Sequence, residues 1–421
     1  MNGDFDFYLA QAQLQADTPD WLSSLQQKAV VDFNRLDFPT RRDEDWKYTP
    51  LTHFFKHRFD RAVSQDVNVT SQAPYTISVI DGVVSMQGDW HKQLPAGVIV
   101  MPLRQAIDTH SKLVAPYLGR ILQHTHGFQA LNTAIMQTGV FIYLPKEVRL
   151  KQPLIIMHQQ TKADTAVHCR HLLIADAGSE AVVTETYEGS DALSYFSNVV
   201  TEVSLAAHAS LTHYKMQNES KKAYHIGHIA VKQHESSRFI SHSLSYGGCL
   251  VRSDMTLDLC EARAFCSLNG LYVPTDGQHV DHHTLINHKV ADCASEQDYR
   301  GILIGKSQAV FNGRVVVAQD AQKTQAKQQN KNLLLSASAE IDTKPQLEIF
   351  ADDVVCTHGA TVGQLDEDAL FYMASRGIPR EEASRFLVEA FAENNVSRIG
   401  DEVNQRSAQE QLARAMEDVH D

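Results

Sequence analysis

Val140-Phe141-Ile142-Tyr143-Leu144-Pro145 marks the point at which the chain turns to β structure and stays there. Further apolar runs come at Leu172-Leu173-Ile174 and Ala181-Val182-Val183, and many later ones are bounded by Gly, Asn, Asp or Ser, the usual punctuation of strands. Within this stretch a small or polar pair repeatedly leads into an apolar residue: Glu180-Ala181-Val182, Ala209-Ser210-Leu211, Ser237-Arg238-Phe239, Arg263-Ala264-Phe265, Gln308-Ala309-Val310 and Ala339-Glu340-Ile341. Most steps are roughly 26 to 31 residues and one is roughly 45, within the range of solenoid repeats. A β-helix and an antiparallel sandwich fit this spacing about equally, because so loose an echo also arises by chance in a β-rich chain.

Outward from this stretch, the flanks read as mainly helical. Up to about residue 60, Trp21, Leu22, Leu25, Ala29, Val30 and Phe33 recur at helical spacing, with Trp46 and Tyr48 anchoring this segment on the next. Short apolar runs at Ile77 to Ile80 and Val98 to Met101 predict strands, and roughly Leu103 to Ala134 a helical interval. No further helix is expected before Gly363. Beyond it Asp366 can cap a helix that stops at Gly377, and Pro379 opens a second one. In that second helix Ala383, Phe386, Leu387, Ala390 and Phe391 form one apolar stripe. Such a stripe is ordinarily core, but two short helices bury little against one another, which leaves part of the face for a partner.

Composition narrows the function classes. The 421 residues suffice for two or three domains, and the formal charge of -13 disfavours general nucleic-acid binding. The N-terminus lacks the basic and apolar regions of a signal peptide, and no apolar run is long enough to cross a bilayer, so the cytoplasm is expected. Six cysteines, at 169, 249, 260, 266, 293 and 356, include no C-x-x-C pair, so neither a zinc ribbon nor a thioredoxin-type site is indicated and reduced thiols are expected.

Gly301-Ile302-Leu303-Ile304-Gly305-Lys306-Ser307 imitates a phosphate-binding loop but has three residues between its glycines where four are needed. Neither a G-x-S-x-G elbow nor an H-E-x-x-H helix occurs. His279, His282, His283, His288 and Cys293 have the residue types of a metal site. On a strand His279 and His283 would share a face with Asp281, with His282 opposite, and polar pairing at an interface is the alternative use. Cys356 and His358, at i and i+2 on an extended segment, project from one face, so a thiolate and an imidazole meet one incoming atom.

Cys356-x-His358-Gly359-Ala360-Thr361-x-Gly363, with the run Leu370 to Phe391 behind it, resembles the C-terminal signature of the SufB/SufD family of iron–sulfur cluster assembly proteins. Three blocks agree: Pro39-Thr40-Arg41-Arg42-Asp43-Glu44-Asp45-Trp46-Lys47-Tyr48-Thr49, Phe128-x-Ala130-Leu131-Asn132-Thr133-Ala134, and Gly277-Gln278-His279-Val280-Asp281-His282-His283-Thr284. Together they span most of the chain. Length and the N-terminal block resemble the SufD branch; the SufB branch usually carries a Cys-rich N-terminal motif, whereas the first cysteine here is Cys169.

The resemblance decides between the two β architectures. It implies a right-handed parallel β-helix (136–363) between an N-terminal helical domain with short strands (1–135) and a C-terminal helical domain (364–421). It implies a non-catalytic scaffold that pairs with a SufB-like paralogue through the β-helix and docks a SufC-like ABC ATPase on its C-terminal helices, at Leu370, Phe371, Phe386, Leu387 and Phe391. His358, with Cys356 second, would contact a nascent iron–sulfur cluster shared transiently with the paralogue, with none held tightly by the isolated chain. Flavin binding accompanies the family's complexes, yet no residue here marks such a site. The alternatives are a metal-dependent β-helix enzyme using His279, His283 and His358, and a chain that acts mainly as a homodimer.

Overall fold

The structure is a computed structural model and describes residues 2–12, 18–62 and 75–417. From Val140 onward the strands alternate between two sheets. One holds Val140–Leu144, Thr165–Ala175, Phe196–Leu205, Tyr224–Gln233, Leu250–Leu259, His279–His288, Gln308–Val317 and Glu340–Ile349 in spatial order. The other holds Leu154–Gln160, Glu180–Gly189, Ser210–Asn218, Arg238–Ser245, Phe265–Tyr272, Ala294–Leu303, Gln325–Leu334 and Val355–Gly363. Every neighbouring pair in both rows is parallel, which makes a parallel β-solenoid of about eight turns and excludes the antiparallel sandwich.

The register explains the uneven repeat in the sequence. Leu250 stands beside His279 and His279 beside Gln308, a step of 29 residues each time. Arg263-Ala264-Phe265 leads into a strand of the second sheet, whereas Gln308 opens a strand of the first. The single step of roughly 45 is therefore one turn and a half.

The two ends of the solenoid differ. At its start Ile99–Pro102 pairs antiparallel with Val140–Leu144, and the hairpin Thr76–Ile80 and Val83–Ser85 extends the second sheet, so antiparallel strands end the ladders there. At its finish Glu340–Ile349 and Val355–Gly363 each have a single strand neighbour among the described residues. Their outer N–H and C=O groups have no strand partner among the described residues.

Inside, alternate side chains of each turn stack on those of the next, among them Leu211, Phe239, Cys266, Leu268 and Phe311. Gly270 and Gly301 make room for aromatic rings in this stack. A β-carbon on Gly270 would lie 2.2 Å from the ring of its register neighbour Tyr299, and one on Gly301 2.3 Å from that of its neighbour Tyr272. The stretch that imitates a phosphate loop is thus a strand end accommodating Tyr272, then a turn in which Gly305 takes φ +59°.

The N-terminal helix Asp20–Leu36 buries Leu22, Gln26, Ala29 and Phe33. With Tyr8, Phe38, Trp46, Phe54, Phe59 and Phe128 this segment forms an aromatic cluster on the outer face of the first sheet, at Phe196 and Tyr224. Trp46 is buried as expected, but Tyr48 is exposed. The helical interval is interrupted: Leu103–Thr109, Ser111–Val114 and Gly127–Ile135 are joined by turns.

The C-terminal helices Glu367–Ser375, Arg380–Val396 and Glu402–Glu417 include a third that the sequence reading missed. Asp366 caps the first, accepting from the backbone N–H of Asp368 at 2.9 Å and of Ala369 at 3.3 Å, and Gly377 takes φ +85° just beyond its end. The helices rest on the outer face of the second sheet, at Leu244, Leu271 and Ile302, rather than only on one another. This contact redirects the second helix: Val388, Ala392, Asn395 and Val396 form its buried row. The anticipated stripe is split, with Ala383 buried, Leu387 and Phe391 partly buried, and Phe386 and Ala390 exposed.

Candidate functional site

The three blocks singled out in the first half and middle of the sequence converge on Arg252, a residue in none of them. Its guanidinium lies 4.2 Å over the Trp46 ring, and Nη1 donates to the backbone oxygen of Asp45 at 2.6 Å and to Asp281 Oδ2 at 2.6 Å. Nε donates to Asp254 Oδ1 at 2.8 Å. Thr49 donates to Asp281 at 2.5 Å, and Trp46 packs against Phe128 at 5.7 Å. Burial would push both carboxyls up, but the guanidinium overcomes it and holds Asp254 and Asp281 well below the usual carboxylate range. For Arg252, burial pulls the other way and the two carboxylates raise its pKa.

Beside this ion cluster lies a cavity of about 370 Å³ between residues 36–46, the start of the helix Gly127–Ile135 and the outer face of the first sheet. Its sheet wall is a column set by the register: His228 beside Asp254, Asp254 beside His283, and His283 beside Asn312. His126, the residue before the helix, hydrogen-bonds through Nε2 to Asp254 Oδ2 at 3.2 Å.

The predicted metal cluster does not assemble. His279 lies 3.2 Å from Thr49 Oγ1, and His283 Nε2 lies 3.0 Å from Asp281 Oδ1. His282 points into the solenoid between Tyr272 and Tyr299. His288 bonds Ser295 at 2.8 Å, and Cys293 Sγ lies 3.3 Å from the Glu261 carbonyl. Alternation along the strand His279–His288 sends the histidines to opposite faces of the sheet, and Cys293 lies in the turn beyond it.

Two other groups of three bring metal-ligating atoms together among the described residues: His158, Cys169 and His171, and His126, His228 and Asp254. In the first, Val140 N–H donates to His171 Nδ1 at 3.1 Å, so the neutral ring carries its proton on Nε2. That proton sits between Cys169 Sγ at 3.4 Å and His158 Nε2 at 3.1 Å. A metal on Nε2 would turn Nδ1–H against Val140 N–H, so the geometry fits a buried hydrogen-bond group and not a metal ligand.

Cys356 and His358 lie on the last strand of the second sheet. Cys356 continues the inward column Ser295–Ala326, and His358 the inward column Gln297–Gln328. Both therefore belong to the face that the solenoid interior presents at its open end. Cys356 is partly buried, and burial pushes its thiol up; His358 is exposed. The same end exposes Val355, at 70 %, and Val362 and Phe350. In the C-terminal helices Leu370 is buried, at 1 %, while Phe371, at 76 %, Tyr372 and Phe386 are exposed.

His126, His228, Arg252 and Asp254 escaped sequence reasoning. The one signal was charge inside an otherwise apolar strand, Leu250-Val251-Arg252-Ser253-Asp254.

Residues 157–391 match the family described as SUF system FeS cluster assembly, SufBD core domain, and residues 5–156 match the SufBD protein N-terminal region. The chain is 32 % identical over 377 residues to the iron–sulfur cluster assembly protein SufD of Escherichia coli strain K12, covering 87 % of each chain. It is 29 % identical over 400 residues to an iron–sulfur cluster assembly SufBD family protein of Synechocystis, covering 91 % of this chain and 88 % of the relative. To SufD of Bacillus subtilis it is 27 % identical over 409 residues, covering 91 % of each. With matches that run along nearly its whole length, the chain belongs to the SufBD family of the SUF system for iron–sulfur cluster assembly.

Proposed function

We propose that the chain is a non-catalytic scaffold subunit of a cytoplasmic iron–sulfur assembly complex, pairing with a SufB-like paralogue and a SufC-like ABC ATPase. The observation that carries this reading is the open end of the solenoid, where two strand edges have no strand neighbour among the described residues and where Val362 and His358, on the inward face, and Val355, on the outer face of the same strand, are exposed. An edge of this kind is a template for another chain's strands, and a second solenoid of like dimensions satisfies it over both sheets at once. His358 then stands at the seam with Cys356 behind it. An imidazole facing a thiolate of the paralogue holds a nascent cluster as cargo, and ligands from two chains leave an opening for its departure.

Phe371, Tyr372 and Phe386 supply the apolar surface for the ATPase, with Leu387 and Phe391 at its border; Leu370 supports it from within. Within the division 1–135, 136–363 and 364–421, paralogue pairing falls to the second part and ATPase docking to the third. ATP-driven pairing of two ATPase subunits would move the attached helices and strain the seam between the solenoids. The test is co-expression with SufB-like and SufC-like proteins from the same source, with the mass of the product read by light scattering. A complex of one SufB-like, two SufC-like and one copy of this chain is expected; His358→Ala should preserve it and abolish cluster delivery. A monomer or homodimer that ignores both partners overturns the reading.

A further inference from the structure

We propose that Gln328 is a positioning residue for His358: its amide oxygen accepts a hydrogen bond from one ring nitrogen and so leaves the lone pair of the other facing the seam. The inference rests on the reading of His358 as a ligand of the nascent cluster, and it adds the group that sets the tautomer of that ring.

The two residues belong to one column of the second sheet, in which Leu268, Gln297, Gln328 and His358 are register neighbours on successive turns. Facing it across the interior is the column Thr284, Gly313 and Pro345 of the first sheet. Thr284 Oγ1 spans the interior and donates to Gln297 Oε1 at 2.9 Å. The Gln328 amide has room to reach across because Gly313 has no side chain: a β-carbon there would lie 2.1 Å from Gln328 Nε2. At the level of His358 the opposite wall is Pro345, whose side chain has neither a donor nor an acceptor.

Gln297 Oε1 receives a second bond, from Gln328 Nε2 at 3.2 Å. With its nitrogen given to Gln297, Gln328 keeps its amide oxygen buried and without a hydrogen-bond partner. A buried oxygen left in that state is costly. The bond between Gln328 and Gln297 shows that neighbours in this column lie within reach of one another, one strand spacing of about 4.8 Å apart. His358 holds the next place in the column, and its ring is exposed at the open end, so rotation about its side-chain bonds brings a ring nitrogen to that oxygen.

An amide oxygen can only accept. The ring nitrogen that meets it carries the proton, and in the neutral imidazole the other nitrogen is then bare. This is the state a ligand histidine requires, with one nitrogen anchored through its N–H to an oxygen behind it and the other free for the metal.

The test is selective nitrogen-15 labelling of histidine in the full-length chain, read at about pH 8, above the ordinary imidazole value of about 6.5. The ring signals of His358 are identified by their loss in His358→Gln. One protonated and one bare nitrogen are expected. In Gln328→Met, which keeps the length of the side chain and removes the oxygen, both signals should move toward the averaged positions of a free imidazole. In Gln328→Glu, which restores an acceptor, they should return. A role in packing alone would show in the denaturation midpoint and not in the ring signals. In the complex with the paralogue and the ATPase, Gln328→Met should slow cluster delivery about tenfold and Gln328→Glu should restore it. The proposal is overturned by averaged ring signals in the unaltered chain, by signals that ignore Gln328→Met, or by no recovery in Gln328→Glu, which would mean that the amide nitrogen faces the ring. Delivery that survives His358→Ala while the tautomer responds as expected would instead overturn the ligand reading and leave the hydrogen bond standing.

Discussion

Arg252 Nη1 and the backbone oxygen of Asp45, 207 residues apart in sequence, are 2.6 Å apart in space. The same guanidinium covers Trp46 and neutralises Asp254 and Asp281, so one side chain fastens the N-terminal segment to the solenoid and keeps two buried carboxylates tolerable. Replacing it by Met fills the space but strands both charges. Arg252→Met is expected to cost about 3–5 kcal/mol and to open residues 39–49 to protease. An unchanged denaturation midpoint with an unchanged digestion pattern would refute this role.

Four buried histidines give the fold an acid limit. Burial holds His168 and His282 at about 3 and His242 and His288 at about 4, so all are neutral in the folded chain, whereas each titrates near its ordinary value of about 6.5 once unfolded. The unfolded state binds more protons below that value, so stability is full above it and falls as pH drops toward the folded values. Each histidine contributes a slope of up to about 1.4 kcal/mol per pH unit. Urea midpoints should decline steeply from pH 6.5 to 5; a flat profile across that window would show that these rings do not stay neutral.

Gly270 and Gly301 test the interior. Adding one methyl group at either position forces Tyr299 or Tyr272 out of the stack, so Gly270→Ala and Gly301→Ala should each cost about 1–3 kcal/mol. Neither should alter nucleotide affinity, because Gly301 serves a ring and not a phosphate. Wild-type stability in both variants would mean that the interior has slack at these turns.

Val355 and Val362 test the open end. Both are exposed on its terminal strand, so Val355→Lys and Val362→Glu should change the stability of the isolated chain by less than about 0.5 kcal/mol. In co-expression the same charges should prevent pairing with the paralogue. Retention of the heterocomplex by the double variant would place the contact elsewhere.

The solenoid was legible because each turn repeats the same placement of small and apolar residues, but the pattern alone did not separate it from a sandwich. Strand direction is carried by pairing between residues about 29 positions apart, which no local window contains. The C-terminal caps, Asp366 and Gly377, were legible for the opposite reason: a cap is made within four residues. The buried face of Arg380–Val396 was not, because the outer face of the second sheet chose Val388 and Ala392 over the more hydrophobic Phe386. The cleft was hidden for the same physical cause. His126, His228 and Asp254 each look like a lone polar residue until the turns are stacked.

The two ends of the solenoid are finished differently, and that asymmetry bears on how the chain must be made. Its first turns are sealed by strands that arrive early in synthesis, whereas its last turn emerges with nothing of its own kind to lie against. Under the proposed pairing, copies made in excess of their counterpart would carry an exposed strand edge into a crowded cell, where another such copy fits it. Matched supply of the two chains is then expected, under that pairing, to matter for solubility as much as for assembly.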